Sequence, residues 1–333
     1  MRYTTTMRAT ERPLTVAVLR GGPSSEYDVS LKTGATVLRN MPQQHAARDI
    51  FIDRNGTWHV GGMPQRPVEA LHGVDVVFNA LHGQYGEDGK VQRQLESLGV
   101  PFTGADKHGA AKSMNKRSAK KIFEDNGLRT PPHVVVNRDD DIDSASRDIF
   151  FHFHMPVVVK PVSAGSSIGV SLADTLAALV DALHRAFEHD DEVLVEMFVV
   201  GREATCGIVE DFRGQKYYAP LPIEIRHHGK QLFDMDSKYS QENHAEMICP
   251  PNFSDTIKEE LQRMSQVAHA VLGLRHYSRS DFRITPTGRI YILETNSLPG
   301  LTEQSLLPTS LQAIGCGMPH FIDHVLALAL DES

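Results

Sequence analysis

The sequence predicts an α/β unit at its N-terminus followed by α+β units, and three observations lead there. Apolar runs at 14–20, 48–53 and 75–81 alternate with helix-forming stretches, the pattern of a parallel sheet. A strand-like run, MPVVVKP, passes directly into the small-residue string SAGSSIG. Beyond residue 192 the runs EVLVEMFVV, ATCGIVE, KYYAPLPIEI and GRIYILE crowd together, with helices near 255–272 and 303–330 coming late.

LTVAVLR is closed by Gly21-Gly22, and PSSEYDVSLKTGATVLRNM then offers helix-start residues and an amphipathic stretch: strand, tight turn, helix. RDIFID leads to the turn pair Asn55-Gly56, and DVVFNAL enters a second glycine-rich turn. These make a first domain, 1–105, whose residues 1–13 read as a disordered tail. A second, 106–191, opens with one helix running from Asp106 through Asn126-Gly127, then HVVV, a helix at 142–153 and the strand before the glycine-serine loop. A third, 192–333, carries the polar stretch 226–250, long enough to be a closing lid or a disordered segment.

With 333 residues the chain can hold several cores, and 41% hydrophobic with 23% charged residues is the composition of a globular protein. The formal charge of -8 argues against nucleic acid or an anionic membrane as partner, and an anionic substrate needs a local basic patch. Three cysteines without a CxxC pair argue against zinc and disulfides and fit a reducing cytoplasm. No apolar run approaches a membrane span, and the first residues lack the apolar core of a signal peptide. Met7 could serve as an alternative start.

In KPVSAGSSIG small residues let backbone N–H groups approach an anion, so phosphate binding and an ordinary hairpin turn both fit. GxxxxGK[ST] and GxGxxG are both absent, which weakens P-loop and nicotinamide-enzyme readings. Lys112, Lys116 and Lys120 are spaced i, i+4; by themselves they read as a solvated basic face. RSDFRI and ILETN, joined through P-T-G, form a candidate hairpin. Alternation there puts Arg279 with Asp281 on one face, and Glu294 with Asn296 on one face. Asp281, Glu294 and Asn296 are hard oxygen ligands suited to magnesium. Glu26 suits a substrate ammonium or a helix dipole, and His82 a substrate or a turn; Glu87 and Asp88 read as caps near Gly89.

Together GGPSSEYDVSL, ALHGQYGEDGKVQ, TGADKHGAAKSMNK, VVVKPVSAGSSIGVS, VLVEMFVVGREAT, MDSKY, SRSDF and LETNSLPGLTEQSLLP resemble the D-alanine:D-alanine ligase family of the ATP-grasp superfamily, in order, from about residue 15 to 313. The resemblance implies a three-domain ATP-grasp architecture with ATP between the central and C-terminal domains. It implies ATP as co-substrate, two magnesium or manganese ions, D-alanine, a cytoplasmic homodimer and a role in peptidoglycan precursor synthesis. Lys116 and Lys160 match phosphate-contacting lysines, and Glu196 and Glu203 match acids at adenine and ribose. Phe198 falls where the backbone borders adenine. Asp281, Glu294 and Asn296 match metal ligands, while Arg279 and the Gly300 backbone face the developing oxyanion. Glu26 and His82 match the first D-alanine site, and Ser305 the group receiving the second carboxylate. Ser166, Lys238 and Tyr239 match loop elements that close over the site.

Two features depart from the family pattern. The loop reads QLFDMDSKY, and SLPGLTEQS carries Leu298 and Glu303-Gln304 beside the second-substrate pocket. D-Serine, D-lactate or another amino acid as acceptor therefore stays open, although Tyr239 favours D-alanine. A non-catalytic nucleotide-binding protein fits poorly with an intact Asp281, Glu294, Asn296 and Arg279 set.

Overall fold

The computed structural model describes residues 7–165, 168–227 and 245–331. Strand β1 (Thr15–Gly21), buried from Val16 to Leu19, lies between parallel partners β2 (Ala46–Ile52) and β5 (Val76–Asn79). Parallel strands need a long crossover, and α1 (Tyr27–Arg39) supplies it. Beyond Asn55-Gly56 the sheet turns antiparallel: β3 (Trp58–Val60) pairs with β2, and β4 (Met63–Gln65) with β3. Gly61 and Gly62, both at positive φ, form the two-residue turn between them. The sheet is therefore mixed, in the order β4, β3, β2, β1, β5, and parallel only around β1. The short α2 (Pro67–Ala70) and α3 (Lys90–Ser97) complete this region.

The single helix expected from Asp106 is two, α4 (Lys107–Met114) and α5 (Lys116–Asp125). Asn115 sits extended between them and its side chain caps α5 by accepting from the Ser118 N–H, so the helix restarts there. Lys112, Lys116 and Lys120 consequently share no continuous face. Lys112 is exposed, Lys116 half-buried and Lys120 fully buried, which overturns the solvated-face reading for Lys120.

The second sheet, in the order β6, β9, β7, β8, is antiparallel throughout: β6 (His133–Asn137), β7 (Val157–Pro161), β8 (Ser171–Ala173) and β9 (Glu192–Met197). α6 (Ile142–His152) and α7 (Leu176–Phe187) close its core of Val157, Val159, Leu179, Leu183, Val193 and Val195. The strand at 192, read as the head of the third domain, thus hydrogen-bonds within the second sheet.

The third sheet runs β13, β12, β10, β14, β15. It is built from β10 (Arg202–Phe212), β11 (Gln215–Tyr218), β12 (Ile223–Arg226), β13 (Glu246–Ile248), β14 (Tyr277–Ile284) and β15 (Ile290–Asn296), with β11 folding back on β10. Strand β13 is a correction to the reading of 226–250 as one loop, since Glu246–Ile248 pairs with β12; residues 228–244 lie outside the described residues. α8 (Asp255–Leu272) is capped by Ser254 and ended by Gly273 in the left-handed conformation. The helix expected at 303–330 is broken at Gly315 to Gly317 into α9 (Leu306–Ala313) and α10 (Met318–Asp331), inclined at 105°.

α10 joins its sequence neighbours Leu307, Leu311 and Cys316 to the distant first sheet. Its Phe321, Ile322, Val325 and Leu326 share one core with Val16, Val18, Val76 and Phe78 of the first sheet. No single described helix is long and apolar enough to cross a membrane. Residues 7–13, expected as part of a disordered tail, dock on the same helix. The Arg8 N–H donates to His324, Thr10 donates to Asp323, and the Arg8 guanidinium pairs with Asp211 at 2.7 Å.

Candidate active site

Three groups of charged side chains face one cavity of about 460 Å³, within the range typical of small-molecule sites. The first lies on adjacent strands β10, β14 and β15. Register pairs Asp281 with Glu294 and Arg279 with Asn296, so alternation brings all four to one surface, as the hairpin reading expects. The Asp281 carboxylate accepts from Arg279 Nε and Nη2, both at 2.9 Å, from Thr205 Oγ1 at 2.6 Å and from Asn296 Nδ2 at 3.2 Å. Burial works against the Arg279 cation, but Asp281 and then Glu294 outweigh it and hold its pKa above the ordinary value. Past a bulge after Asp281, Arg283 pairs with Glu203 on β10 at 3.1 Å, and its guanidinium lies 5.8 Å from the Phe198 ring centroid.

The second group is basic. Lys116, the first residue of α5, donates from Nζ to Ala164 O at 2.6 Å, which ties the helix to the glycine-serine loop. Burial lowers its pKa while Glu294 opposes the shift. Lys160 on β7 and Glu196 on β9 are diagonal cross-strand neighbours with Nζ 2.5 Å from Oε1. Lys120 reaches the other carboxylate oxygen at 2.7 Å and donates to Thr130 Oγ1 at 2.5 Å. Burial alone would raise the Glu196 carboxyl, but the two ammonium groups, Lys120 first, bring it down to about 2. Glu196, matched by resemblance to an adenine contact, thus has both oxygens beside lysines.

The third group stands where open sheets place ligands, beyond the carboxyl ends of β1 and β5. Glu26 precedes α1, and His82 and Glu87 follow β5; their ligand atoms lie within 4.8 Å of one another. His82 is buried, with Nε2 2.9 Å from Thr33 Oγ1 and Nδ1 3.7 Å from Glu87. Glu87 accepts from the Gly83 N–H at 2.8 Å, whereas Asp88 alone of the expected caps receives the Lys90 N–H. Glu26 fits against glycine: a Cβ on Gly165 would stand 2.1 Å from its Oε1, and one on Gly83 3.1 Å.

These groups are electrostatically continuous. Glu294 raises the pKa of both Lys116 and Arg279, and Glu87 also acts on Arg279. Glu26, His82, Lys116, Lys160, Glu196, Phe198, Glu203, Arg279, Asp281, Glu294, Asn296 and Gly300 all line the cavity. Ser305 does not line it. It occupies the N-cap position of α9 without a side-chain capping bond, bonds to Thr302 Oγ1 at 2.7 Å, and its Oγ would stand 3.1 Å from a Cβ on Gly300. Ser166, Lys238 and Tyr239 lie outside the described residues. The sequence places Lys120 on a solvated basic face and Glu87 in a cap, and nothing in it singles out Arg283, whereas the structure buries Lys120 behind Glu196 and puts Glu87 and Arg283 in the cavity lining. Arg283 does continue the alternation of Arg279 and Asp281.

An antiparallel second sheet beside a third sheet bearing facing acids, with lysines between them, is the ATP-grasp architecture. VanG D-Ala:D-Ser ligase from Enterococcus faecalis superposes with a TM-score of 0.83 at 28% identity, covering 96% of this chain and all of that one. D-Alanyl-alanine synthetase A from Vibrio cholerae gives 0.83 at 25%, with 96% and 100% covered. Family models described as D-ala D-ala ligase N-terminus and C-terminus match residues 62–105 and 122–327. A D-alanine--D-alanine ligase from Geobacter sulfurreducens is 38% identical over 316 residues, 94% of this chain and 93% of its own. The chain belongs to the D-alanine–D-alanine ligase family.

Proposed function

We propose that this protein joins two D-alanines to D-alanyl-D-alanine, converting ATP to ADP and phosphate through a D-alanyl phosphate, for peptidoglycan precursor synthesis. The observation that carries the reading is the continuity of the cavity: lysines, facing acids with Arg279, and the Glu26, His82 and Glu87 group border one space. A nucleotide needs the first, a reacting carboxylate the second, and a substrate ammonium the third.

In this reading Lys116 and Lys160 hold ATP phosphates, Glu203 and the strand end at Glu196 to Phe198 hold the nucleoside, and Glu26 with His82 receives the first D-alanine ammonium. Its carboxylate attacks the γ-phosphorus and ADP leaves. The amine of the second D-alanine then attacks the acyl carbon, its carboxylate assigned by the resemblance to Ser305, which reaches the cavity only past its neighbour Gly300; Arg279 and the Gly300 backbone meet the oxyanion, and phosphate departs. Asp281, Glu294 and the Asn296 amide are an oxygen donor set that fits two magnesium ions, and manganese would suit the same ligands. Bound there, the ions would offset charge on the phosphate oxygens during transfer. Ser166, Lys238 and Tyr239 are assigned to closure over the site. Family membership supports three functional domains, a cytoplasmic setting and a homodimer.

Purified protein with ATP, magnesium and D-alanine is expected to release phosphate and yield D-alanyl-D-alanine by mass. Turnover only when D-serine or D-lactate is the second substrate would refute the acceptor assignment. Absence of ATP-dependent phosphate release with every acceptor would refute the ligase reading.

A further inference from the structure

Lys120 is fully buried and does not itself line the cavity, yet it stands directly behind a residue that does, Glu196; burial lowers its pKa, and Glu196 opposes that shift. Burying an ammonium is costly unless it is compensated, so its partners show what it does. It meets Glu196 at 2.7 Å and Thr130 at 2.5 Å. Glu196, equally buried, also holds Lys160 at 2.5 Å, and Lys160 and Lys116 line the cavity. The cluster is therefore two ammonium groups around one carboxylate, with one unit of positive charge in excess.

We propose that Lys120 is a positioning residue for nucleotide binding, the reserve counterion that keeps Glu196 compensated while Lys160 is drawn to a polyphosphate. With Lys120 absent, Lys160 is the sole close ammonium partner of a buried carboxylate. A phosphate must then compete with Glu196 for it, and the local charge falls from one to zero. Leaving a buried charge without its partner is among the costlier changes a protein interior can undergo. Thr130 fixes the Lys120 ammonium at the rear of the carboxylate, so that Lys160 rather than Lys120 faces the cavity. The inference rests on the nucleotide reading of the site.

The test uses the full chain with Lys120→Met and Lys120→Met/Glu196→Gln, measuring ADP and adenosine binding with magnesium by calorimetry, KM for ATP, and thermal melting. Lys120→Met should weaken ADP at least about tenfold and raise the KM for ATP, with adenosine changed far less, because only phosphates call on Lys160. Removing the Glu196 charge as well frees Lys160, so the double variant should bind ADP more tightly than the single one. Equal losses for ADP and adenosine, or no recovery in the double variant, would overturn the proposal. If Lys120→Met does not fold, the double variant decides alone: it should fold and retain a preference for ADP over adenosine. Failure of the wild-type protein to bind ADP would instead remove the nucleotide reading itself.

Discussion

Replacing Gly165 with alanine should damage recognition of the first substrate while leaving the fold intact. The added Cβ would lie 2.1 Å from Glu26 Oε1, and ordinary contact begins at 3.4 Å, so the oxygen must retreat by about 1.3 Å. It is the end of a flexible side chain, and Gly165 is not among the glycines at positive φ, so alanine strains neither backbone nor core. Stability should change by no more than about 0.5 kcal/mol. The carboxylate, however, leaves the group it forms with His82 and Glu87. A hydrogen bond to a charged group is worth about 1.5–3 kcal/mol. At about 1.4 kcal/mol per tenfold this is roughly a 10- to 150-fold loss of kcat/KM for the first D-alanine. Steady-state phosphate release with D-alanine varied measures it, with the KM for ATP and the melting temperature as controls. The cycle with Glu26→Ala separates causes: Gly165→Ala should cost almost nothing once the carboxylate is gone. An equal loss in both backgrounds would show that the loop itself, and not Glu26, is what alanine disturbs.

Arg279→Ala should lower kcat by about 10²–10³ with ADP affinity largely kept, since its assigned contact is to charge that develops during reaction; a loss confined to nucleotide binding would contradict that role. Gly21→Ala should destabilise by at least about 2 kcal/mol, because φ is +92° and the Cβ would meet the Ile52 carbonyl oxygen at 2.2 Å. Urea unfolding would show it, and a change below about 1 kcal/mol would refute the steric argument. Glu196 is held at about 2, below its ordinary 4.5, so its contribution to stability is full above pH 4.5 and is lost as pH falls toward 2. Wild-type protein should lose stability over that window more steeply than Glu196→Gln; parallel melting curves would count against the ion cluster.

Legibility followed the range of the interactions. The hairpin carrying Arg279, Asp281, Glu294 and Asn296 was readable because alternation and a short turn fix which side chains meet. The break at Asn115 also had a local signal, a capping residue three before Ser118, obscured by the uninterrupted basic pattern around it. Lys120 could not be read, since a lysine one turn from another looks solvated until Glu196, far along the chain, is brought against it. The docking of α10 under β1 and β5, and the place of the 192 strand between β6 and β7, are likewise pairings of distant segments with no local mark. At the site, most of the residues matched by resemblance border the cavity and Ser305 does not, while the division of Glu196 between two lysines needed the assembled sheet.

Strand β14 is clamped by ladders on both sides, to β10 and β15, and three of its alternate residues, Arg279, Asp281 and Arg283, face the cavity. Any change there is also a change to the middle of a sheet. The opposite end of the cavity is made differently, from the turn after β5 and the segment 298–300 ahead of α9, where side chains are carried by connections rather than ladders. The two halves of the chemistry can consequently drift at different speeds. In the proposed assignment the metal-ligand and oxyanion groups are anchored to the architecture, whereas contacts to the amino-acid substrates can be rewritten in a few loop positions without unfolding the protein.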